Sequence, residues 1–241
     1  MRTIKRNNKF YEKKLNELLK EKKDYKTPEV KEYLEKVYNK ICCYCESDFS
    51  FSAYPEIEHF YPKNNSKSPK YSKYKCTIEN LHYSCPVCNN KKSINTFWKE
   101  LEWKPFFSPN YILNDKENKF IEPKYNVEDS FKYDLYNISP VWENKVIAEN
   151  TINLFWLDWS KNRKSLITKR ISVFDKALKI SEQIDTILER KRIENCDTLN
   201  YLFEELSDMM NDNSPYSTMI KKQFWEIYIK LYEKLQQKKL D

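Results

Sequence analysis

Residues 42–45 read "CCYC" and residues 85–88 read "CPVC", so the chain carries two Cys-x-x-Cys pairs. Residues 56–63 between them read "EIEHFYPK" and hold His59, one of only two histidines in the chain. Two such pairs supply the four thiolates of a tetrahedral structural zinc site. The gap exceeds the roughly 15–20 residues of a simple zinc ribbon, which predicts a ribbon with an insertion; free core thiols are the alternative. The expected zinc ligands are Cys42, Cys45, Cys85 and Cys88.

The composition is that of a folded chain with a modest positive charge. Its 241 residues suffice for one large domain or two small ones with a hydrophobic core. The 40% apolar and 15% aromatic content excludes a disordered polar chain. The net charge of +7 is compatible with nucleic-acid binding, but many unrelated proteins share such a charge.

The sequence contains no glycine. Phosphate-binding loops need backbone at positive φ and close approach to phosphate, so a P-loop and a dinucleotide-binding fingerprint are both excluded. If ATP matters to the activity, another chain must bind it. We expect turns and helix ends to use Asn and Asp instead, because these residues best tolerate a left-handed backbone.

The seven cysteines also bear on the cellular compartment. Beyond the two pairs, Cys43, Cys76 and Cys196 are interpreted as ordinary buried or surface residues. The basic start leads into no apolar segment typical of a secretory signal, and no stretch approaches the roughly 18 apolar residues of a membrane span. We therefore expect a cytoplasmic protein without membrane association, in which paired cysteines bind metal rather than form disulfides.

Hydrophobic periodicity predicts an α+β fold that is predominantly helical. Thr27 and Pro28 have the character of a helix cap and a first helical residue. Short strands and a helix starting near Pro86 are expected within the cysteine-containing part. Apolar stripes at helical spacing predict further helices over 163–190 and 216–237, with a short one near 197–210. The predicted units are an N-terminal helical segment (1–41), the cysteine-containing module (42–100), an irregular connecting region with a few strands (101–160) and a C-terminal helical region (161–241).

Polar residues near the cysteines form a second pattern. Glu58 directly precedes His59 on a short extended run, Asn80 lies shortly before Cys85, and Asn89 directly follows Cys88. A zinc site that clamps both ends would bring these residues into one neighbourhood. Glu-His alone is a common dipeptide, and adjacent strand residues point to opposite faces, so the two meet one metal only where the strand twists or ends.

The ordered motifs over residues 42–98 resemble those of the HNH endonucleases. The elements are "CCYCE", "EHFYPK" and "NLHYSCPVCNNKK", and they are most similar to the HNH subunits encoded beside retrons and in the Septu anti-phage system. The downstream stretch "ENTINLFWLD…NRKSLITKR" is similar more weakly. The resemblance implies a zinc-stapled ββα-metal nuclease module embedded between the N-terminal helices and the C-terminal helical region.

The same resemblance implies roles for individual residues. His59 is expected to be the general base, because the usual pKa of histidine, about 6.5, leaves it largely neutral in the cell. Glu58 and Asn89 are expected to hold one Mg²⁺ or Mn²⁺ through oxygen. Asn80 is expected to bond the loop that presents His59, and His82 to be a packed or surface histidine without a catalytic role.

Two residues depart from the common HNH pattern, and two lysines have more than one interpretation. Glu58 stands where many HNH enzymes have Asp, and its longer arm affects metal geometry. Asn89 replaces the third motif histidine, a common variant that keeps an oxygen ligand. Lys63 and Lys92 are expected to contact nucleic-acid phosphate, although lysines here are equally compatible with a solvated surface.

The expected function is therefore cleavage of DNA by the nuclease effector subunit of a bacterial anti-phage complex. The helical region 161–241 is either a docking surface for a partner ATPase subunit or simply part of the protein's own core. Two alternatives stay open: the same nuclease acting on RNA such as tRNA, and a non-catalytic zinc-ribbon module that binds nucleic acid.

Overall fold

The computed structural model describes the chain with interruptions between its ordered parts. The fold is mostly helical, with three two-stranded antiparallel sheets in the described part, which confirms the predicted α+β class. The described residues are 1–50, 53–63, 69–94, 106–114, 116–158, 163–189 and 196–238.

Two helices precede the first cysteine pair. Helix α1 spans Lys9–Lys22 and helix α2 spans Pro28–Tyr38. The Thr27 side chain accepts a hydrogen bond from the Val30 backbone N–H, and Pro28 is the first residue of α2, which confirms both predicted start signals. Because α2 buries one face, it fixes the direction in which the chain enters the cysteine turn.

The cysteine-containing part forms a β-hairpin followed by a helix. Strand β1 (Glu56–His59) pairs antiparallel with β2 (Leu81–Ser84), so that Glu58 lies opposite His82 and His59 opposite Leu81. Helix α3 (Pro86–Ile94) follows β2 directly and contacts β1. The first cysteine pair lies in the turn after α2 and the second spans the start of α3.

The connecting region contains two further hairpins and a helix. The first hairpin pairs β3 (Ile112–Asn114) with β4 (Lys119–Ile121), and the second pairs β5 (Phe131–Asp134) with β6 (Asn137–Pro140). Helix α4 then spans Lys145–Phe155. This helix lies within the region (101–160) that was predicted to be irregular with a few strands. Its Asn, Thr and β-branched residues have modest helix propensity, so packing of its apolar face stabilises it; the buried residues are Ala148, Thr151, Ile152 and Phe155.

Three long helices close the fold. They are α5 (Lys164–Glu189), α6 (Cys196–Met210) and α7 (Ser217–Lys238), and each packs on the other two. The expected apolar stripes are largely buried, but Leu178 and Ile227 are 38% and 39% exposed. These two residues lie at the edges of the apolar stripes, outside the surfaces that the helices bury against one another. Within the described residues, no helix is both long and apolar enough to cross a membrane.

Left-handed backbone occurs without glycine. The expectation that Asn and Asp would occupy these positions was wrong, because only Asn39 and Asn118 do so among the described residues. At the ends of α1, α2 and α4 the left-handed residue turns its N–H back onto a carbonyl of the last turn. Each non-glycine residue costs roughly 1–2 kcal/mol in this conformation, which surrounding packing offsets. The left-handed residues are Lys23, Asn39, Lys40, Glu46, Asn118, Leu135, Trp156 and Tyr216.

Candidate active site and zinc centre

The four predicted zinc ligands lie together. Their sulfur atoms all lie within 4.8 Å of one another, and all four side chains are buried. The Cys45 and Cys85 sulfurs are 3.9 Å apart, close to the roughly 3.8 Å edge of a tetrahedron built with Zn–S bonds of about 2.3 Å. Four convergent sulfurs without an oxygen ligand form the donor set of structural zinc, so these residues fit that ion.

Position in the cluster distinguishes the ligands from the other cysteines, whereas the pKa does not, because the pKa values of Cys85 and Cys88 are raised as well. Burial by itself raises the pKa of Cys42, yet hydrogen bonds from the neighbouring cysteines hold it well below its ordinary value. Burial and the contact with Cys42 raise the pKa of Cys43 well above its ordinary value. Cys43 therefore stays a neutral core thiol, and Cys76 is half-buried and apart from the cluster. The side chain of Cys196 lies outside the described residues.

An arginine that the sequence reasoning missed contacts this cluster. Arg163 donates hydrogen bonds to the sulfurs of Cys88 at 3.3 Å, Cys45 at 3.5 Å and Cys85 at 3.6 Å. It also donates to the Phe155 carbonyl at 3.0 Å. Arg163 lies in the weakly similar downstream stretch, but no spacing rule connects it to a cysteine so far away in sequence.

His59 ends β1 as a neutral imidazole. Its Nε2 lies 2.9 Å from the Lys75 carbonyl oxygen, which only accepts, so Nε2 carries the proton. Burial lowers the pKa of His59 to about 3, against the opposing effect of that hydrogen bond. No described residue bonds Nδ1. The second nitrogen therefore has a lone pair that can accept a proton.

The N-terminal segment also reaches His59. The ring of Tyr25, in the loop between α1 and α2, packs edge-on against the imidazole with centroids 4.5 Å apart. The Lys63 ammonium donates to the Tyr25 hydroxyl and lies 4.6 Å from the ring centroid. Lys63, a predicted phosphate contact, thus reaches His59 indirectly, through the Tyr25 ring. Tyr25 was not predicted, because nothing in its sequence neighbourhood refers to position 59.

Asn80 is fully buried and holds the segment that follows His59. Its Oδ1 accepts from the Tyr61 N–H at 2.7 Å, and its Nδ2 donates to the Tyr61 carbonyl at 3.0 Å and the Tyr74 carbonyl at 3.1 Å. The Asn80 carbonyl also accepts from the Phe60 N–H at 3.0 Å. These bonds fix the backbone on the C-terminal side of His59.

Glu58 and Lys92 form a buried ion pair between β1 and α3. The Lys92 ammonium donates to Glu58 Oε1 and to the carbonyls of His59 and Phe60, the last at 2.8 Å. The Tyr44 hydroxyl donates to Glu58 Oε2 at 2.7 Å. Burial lowers the pKa of Lys92, and the Glu58 charge opposes this effect. Contact of Lys92 with nucleic-acid phosphate stays a prediction, since its ammonium here bonds three protein oxygens.

Asn89 was predicted to share a cation with Glu58, and in the structure it bonds a neighbouring carboxylate. Its amide donates to Glu56, and Asn89 and Lys92 lie one turn apart on α3. Because alternate strand residues share a face, Glu56 and Glu58 face α3 while His59 lies on the other face of β1. Glu58 is bonded by Lys92 and Tyr44, so a Mg²⁺ or Mn²⁺ ion shared by Glu58 and Asn89 stays a prediction.

The second histidine lies on the face opposite His59. His82 is fully buried, and its Nδ1 is 2.6 Å from the Tyr38 hydroxyl and 3.4 Å from Arg6. Burial first, and then the charges of Arg6 and Lys92, hold the pKa of His82 well below its ordinary value. It is a neutral histidine of the core.

Comparison with known proteins agrees with this geometry. Residues 42–94 match the family of HNH endonucleases, so this part of the chain is an HNH endonuclease domain. The match contains the four cysteines, both strands of the first hairpin and α3.

A longer similarity extends beyond the domain. The chain is 25% identical over 216 residues to Septu protein PtuB of Bacillus mycoides (strain KBAB4), covering 81% of this chain and 73% of that protein. The predicted resemblance to HNH endonucleases and to a Septu HNH subunit is therefore confirmed. No solved structure matches the chain.

Proposed function

We propose that this protein is a metal-dependent HNH endonuclease that hydrolyses phosphodiester bonds of DNA, with His59 as the general base. In this proposal it is the nuclease effector subunit of a Septu-like anti-phage complex. Support comes from the HNH domain over residues 42–94 and from similarity to PtuB over most of the chain.

The observation that carries the proposal is the state of His59. A general base must be neutral and must have a free lone pair directed at the reaction. The proton on Nε2 is committed to the Lys75 carbonyl, which leaves Nδ1 to take a proton from the attacking water. An incoming phosphate would raise the lowered pKa of His59, because its negative charge stabilises imidazolium, and would make the imidazole a stronger base.

Other residues hold the base in place or approach the substrate. Asn80 fixes the backbone after His59, and the Tyr25 ring packs against the edge of the imidazole. Lys63 lies beside Tyr25 and is the lysine best placed to contact a phosphate near His59. Lys92 is proposed as a second contact only if its ammonium leaves Glu58.

The catalytic cation is a separate part of the proposal. The resemblance implies Mg²⁺ or Mn²⁺ between Glu58 and Asn89, whereas Glu58 pairs with Lys92 and Asn89 with Glu56. An ion bound there would require Glu58 and Asn89 to leave these partners. Its test is a titration of cleavage with Mg²⁺ and Mn²⁺ in the wild type, Glu58→Gln and Glu56→Gln.

A partner ATPase is proposed for the C-terminal helices. The chain has no glycine for a phosphate-binding loop, and exposed aromatic residues on α6 and α7, including Tyr201, Trp225 and Tyr232, offer apolar surface for a partner. RNA such as tRNA is the second candidate substrate, because HNH chemistry addresses the phosphate.

The decisive experiment measures cleavage of plasmid DNA, single-stranded DNA and tRNA, with and without the product of the neighbouring gene. We expect His59→Ala to abolish cleavage while zinc content and helical circular dichroism stay unchanged. His82→Gln is the matched control, since His82 lies on the other face of the hairpin, and it should still cleave.

Two results would overturn the proposal. Intact substrates under every condition, or undiminished cleavage by His59→Ala, would remove the catalytic assignment and favour a zinc-containing module that only binds nucleic acid. Cleavage confined to tRNA would keep the nuclease and replace its substrate.

A further inference from the structure

The zinc cluster contacts the C-terminal helices through a buried arginine. Arg163 is 9% exposed, and its two terminal nitrogens together reach the sulfurs of Cys45, Cys85 and Cys88. Three sulfur contacts from one guanidinium are more than packing requires. They indicate a role for Arg163 toward the metal that these sulfurs bind.

The charges of the site give a reason. Four thiolates around one Zn²⁺ leave a net charge of −2, which is costly in a buried place without compensation. The guanidinium supplies one positive charge and hydrogen-bond donors in a fixed planar fork. N–H···S bonds from this fork hold the sulfurs in the positions from which they bind the metal.

The position of Arg163 in the chain links this effect to the helices. Its carbonyl accepts from the N–H groups of Leu166 and Ile167 in the first turn of α5, and its side chain bonds the Phe155 carbonyl at the end of α4. The side chain can contact the sulfurs only while α4 and α5 hold this junction against the cysteine cluster.

A second hydrogen-bonded contact with the C-terminal helices lies beside the first cysteine pair. Glu46 directly follows Cys45, and its backbone carbonyl accepts from the Tyr216 N–H at 3.2 Å. Its side chain accepts from the Thr218 N–H, also at 3.2 Å, in the first turn of α7. The starts of α5 and α7 therefore both contact the cluster or its immediate neighbour.

We propose that Arg163 is a positioning residue for the zinc centre, and that through it zinc retention depends on the C-terminal helices. The metal ligands remain the four cysteines. Arg163 orients them and offsets part of their charge, and displacement of α5 removes this support. The inference concerns the metal centre and holds whether or not the chain cleaves nucleic acid.

The test compares zinc retention in the full chain of wild type, Arg163→Met and Arg163→Lys. Zinc per chain is measured by mass spectrometry after purification, and its release to a competing chelator is followed with a zinc indicator dye. Loss of a residue that orients metal ligands typically lowers metal affinity about 10–100-fold. We expect Arg163→Met to show a loss of this size and Arg163→Lys, which keeps the charge but lacks the fork, to be intermediate.

Arg6→Met is the matched control. Arg6 is a buried arginine that donates to the Ile78 carbonyl at 2.8 Å and the Tyr38 hydroxyl at 3.1 Å, and within the described residues no sulfur is among its hydrogen-bond partners. Because these partners lie outside the α4–α5 junction, Arg6→Met should lower stability without changing zinc release. Zinc retention by Arg163→Met equal to wild type, or equal loss in Arg6→Met, would overturn the proposal. If Arg163→Met does not fold, the same comparison of Arg163→Lys with Arg6→Lys decides it.

Discussion

Replacing Asn80 with Ala should strongly destabilise the protein. The substitution removes three hydrogen bonds of the Asn80 side chain: one from the Tyr61 N–H and two to the carbonyls of Tyr61 and Tyr74. Asn80 and Tyr61 are buried, so water does not readily replace these bonds. Losing a bond to a buried polar group costs roughly 1–3 kcal/mol, so losing three costs about 3–9 kcal/mol. That is a large share of the roughly 5–15 kcal/mol that stabilises a typical domain.

Urea unfolding of the wild type and Asn80→Ala measures this difference, and Asn16→Ala is the control. Asn16 also has three hydrogen bonds to the residues just before Asn80. Its amide donates two to Glu79, and its side-chain oxygen accepts one from the Ile78 N–H, but Asn16 is only half-buried. Water can replace its contacts, so about 1 kcal/mol is expected. Equal costs for the two variants, or less than 1 kcal/mol for Asn80→Ala, would refute the reasoning from burial.

Three further predictions follow from single features. The pKa of His82 in the folded protein lies well below its unfolded value of about 6.5. Its contribution to stability is therefore present above that pH and is lost on acidification, by about 2 kcal/mol between pH 7 and pH 5. Urea unfolding at both pH values should show a smaller change in His82→Gln than in the wild type, and equal changes would contradict the prediction. Leu135 has a left-handed backbone and is half-exposed in the turn between β5 and β6. Leu135→Asn should therefore raise the free energy of unfolding by about 1 kcal/mol and the Tm by about 2–4 °C. Leu135→Ala should leave stability unchanged, and a gain from Ala would show that the effect comes from removing exposed apolar surface. Removing one member of the buried Glu58–Lys92 pair should lower the free energy of unfolding by roughly 3–5 kcal/mol. In a double-mutant cycle, Glu58→Gln combined with Lys92→Met should lower it by less than the sum of the two single losses. Strict additivity would show that the two side chains do not interact.

The parts of the site that the sequence predicted are those carried by residue identity. Four cysteines in two close pairs have few uses other than one metal, so Cys42, Cys45, Cys85 and Cys88 could be assigned without knowing the fold. Helix α3 followed from Pro86, whereas the hairpin was implied only by the resemblance to a ββα-metal module. Thr27 likewise signals its own role as a helix cap, because capping acts within three residues.

The partners of Glu58 and Asn89 could not be predicted in the same way. A carboxylate in this motif can contact an ion, an ammonium or a hydroxyl. Which of these it contacts depends on the groups that the fold buries next to it. Lys92 and Tyr44 occupy Glu58 only after α3 has packed on β1. Arg163 and Tyr25 were missed for a related reason, since each reaches the site from another part of the chain.

The contacts of Arg163 and Tyr25 limit how far the HNH domain can be separated from its surroundings. Its family match ends at residue 94, yet one arginine beyond that end bonds the zinc sulfurs and one tyrosine before its start packs on His59. A chimera that grafts residues 42–94 onto another scaffold would lose both. The segment recognised as a domain by sequence is thus not a portable module, and a transferable unit must include α1, α2 and the α4–α5 junction.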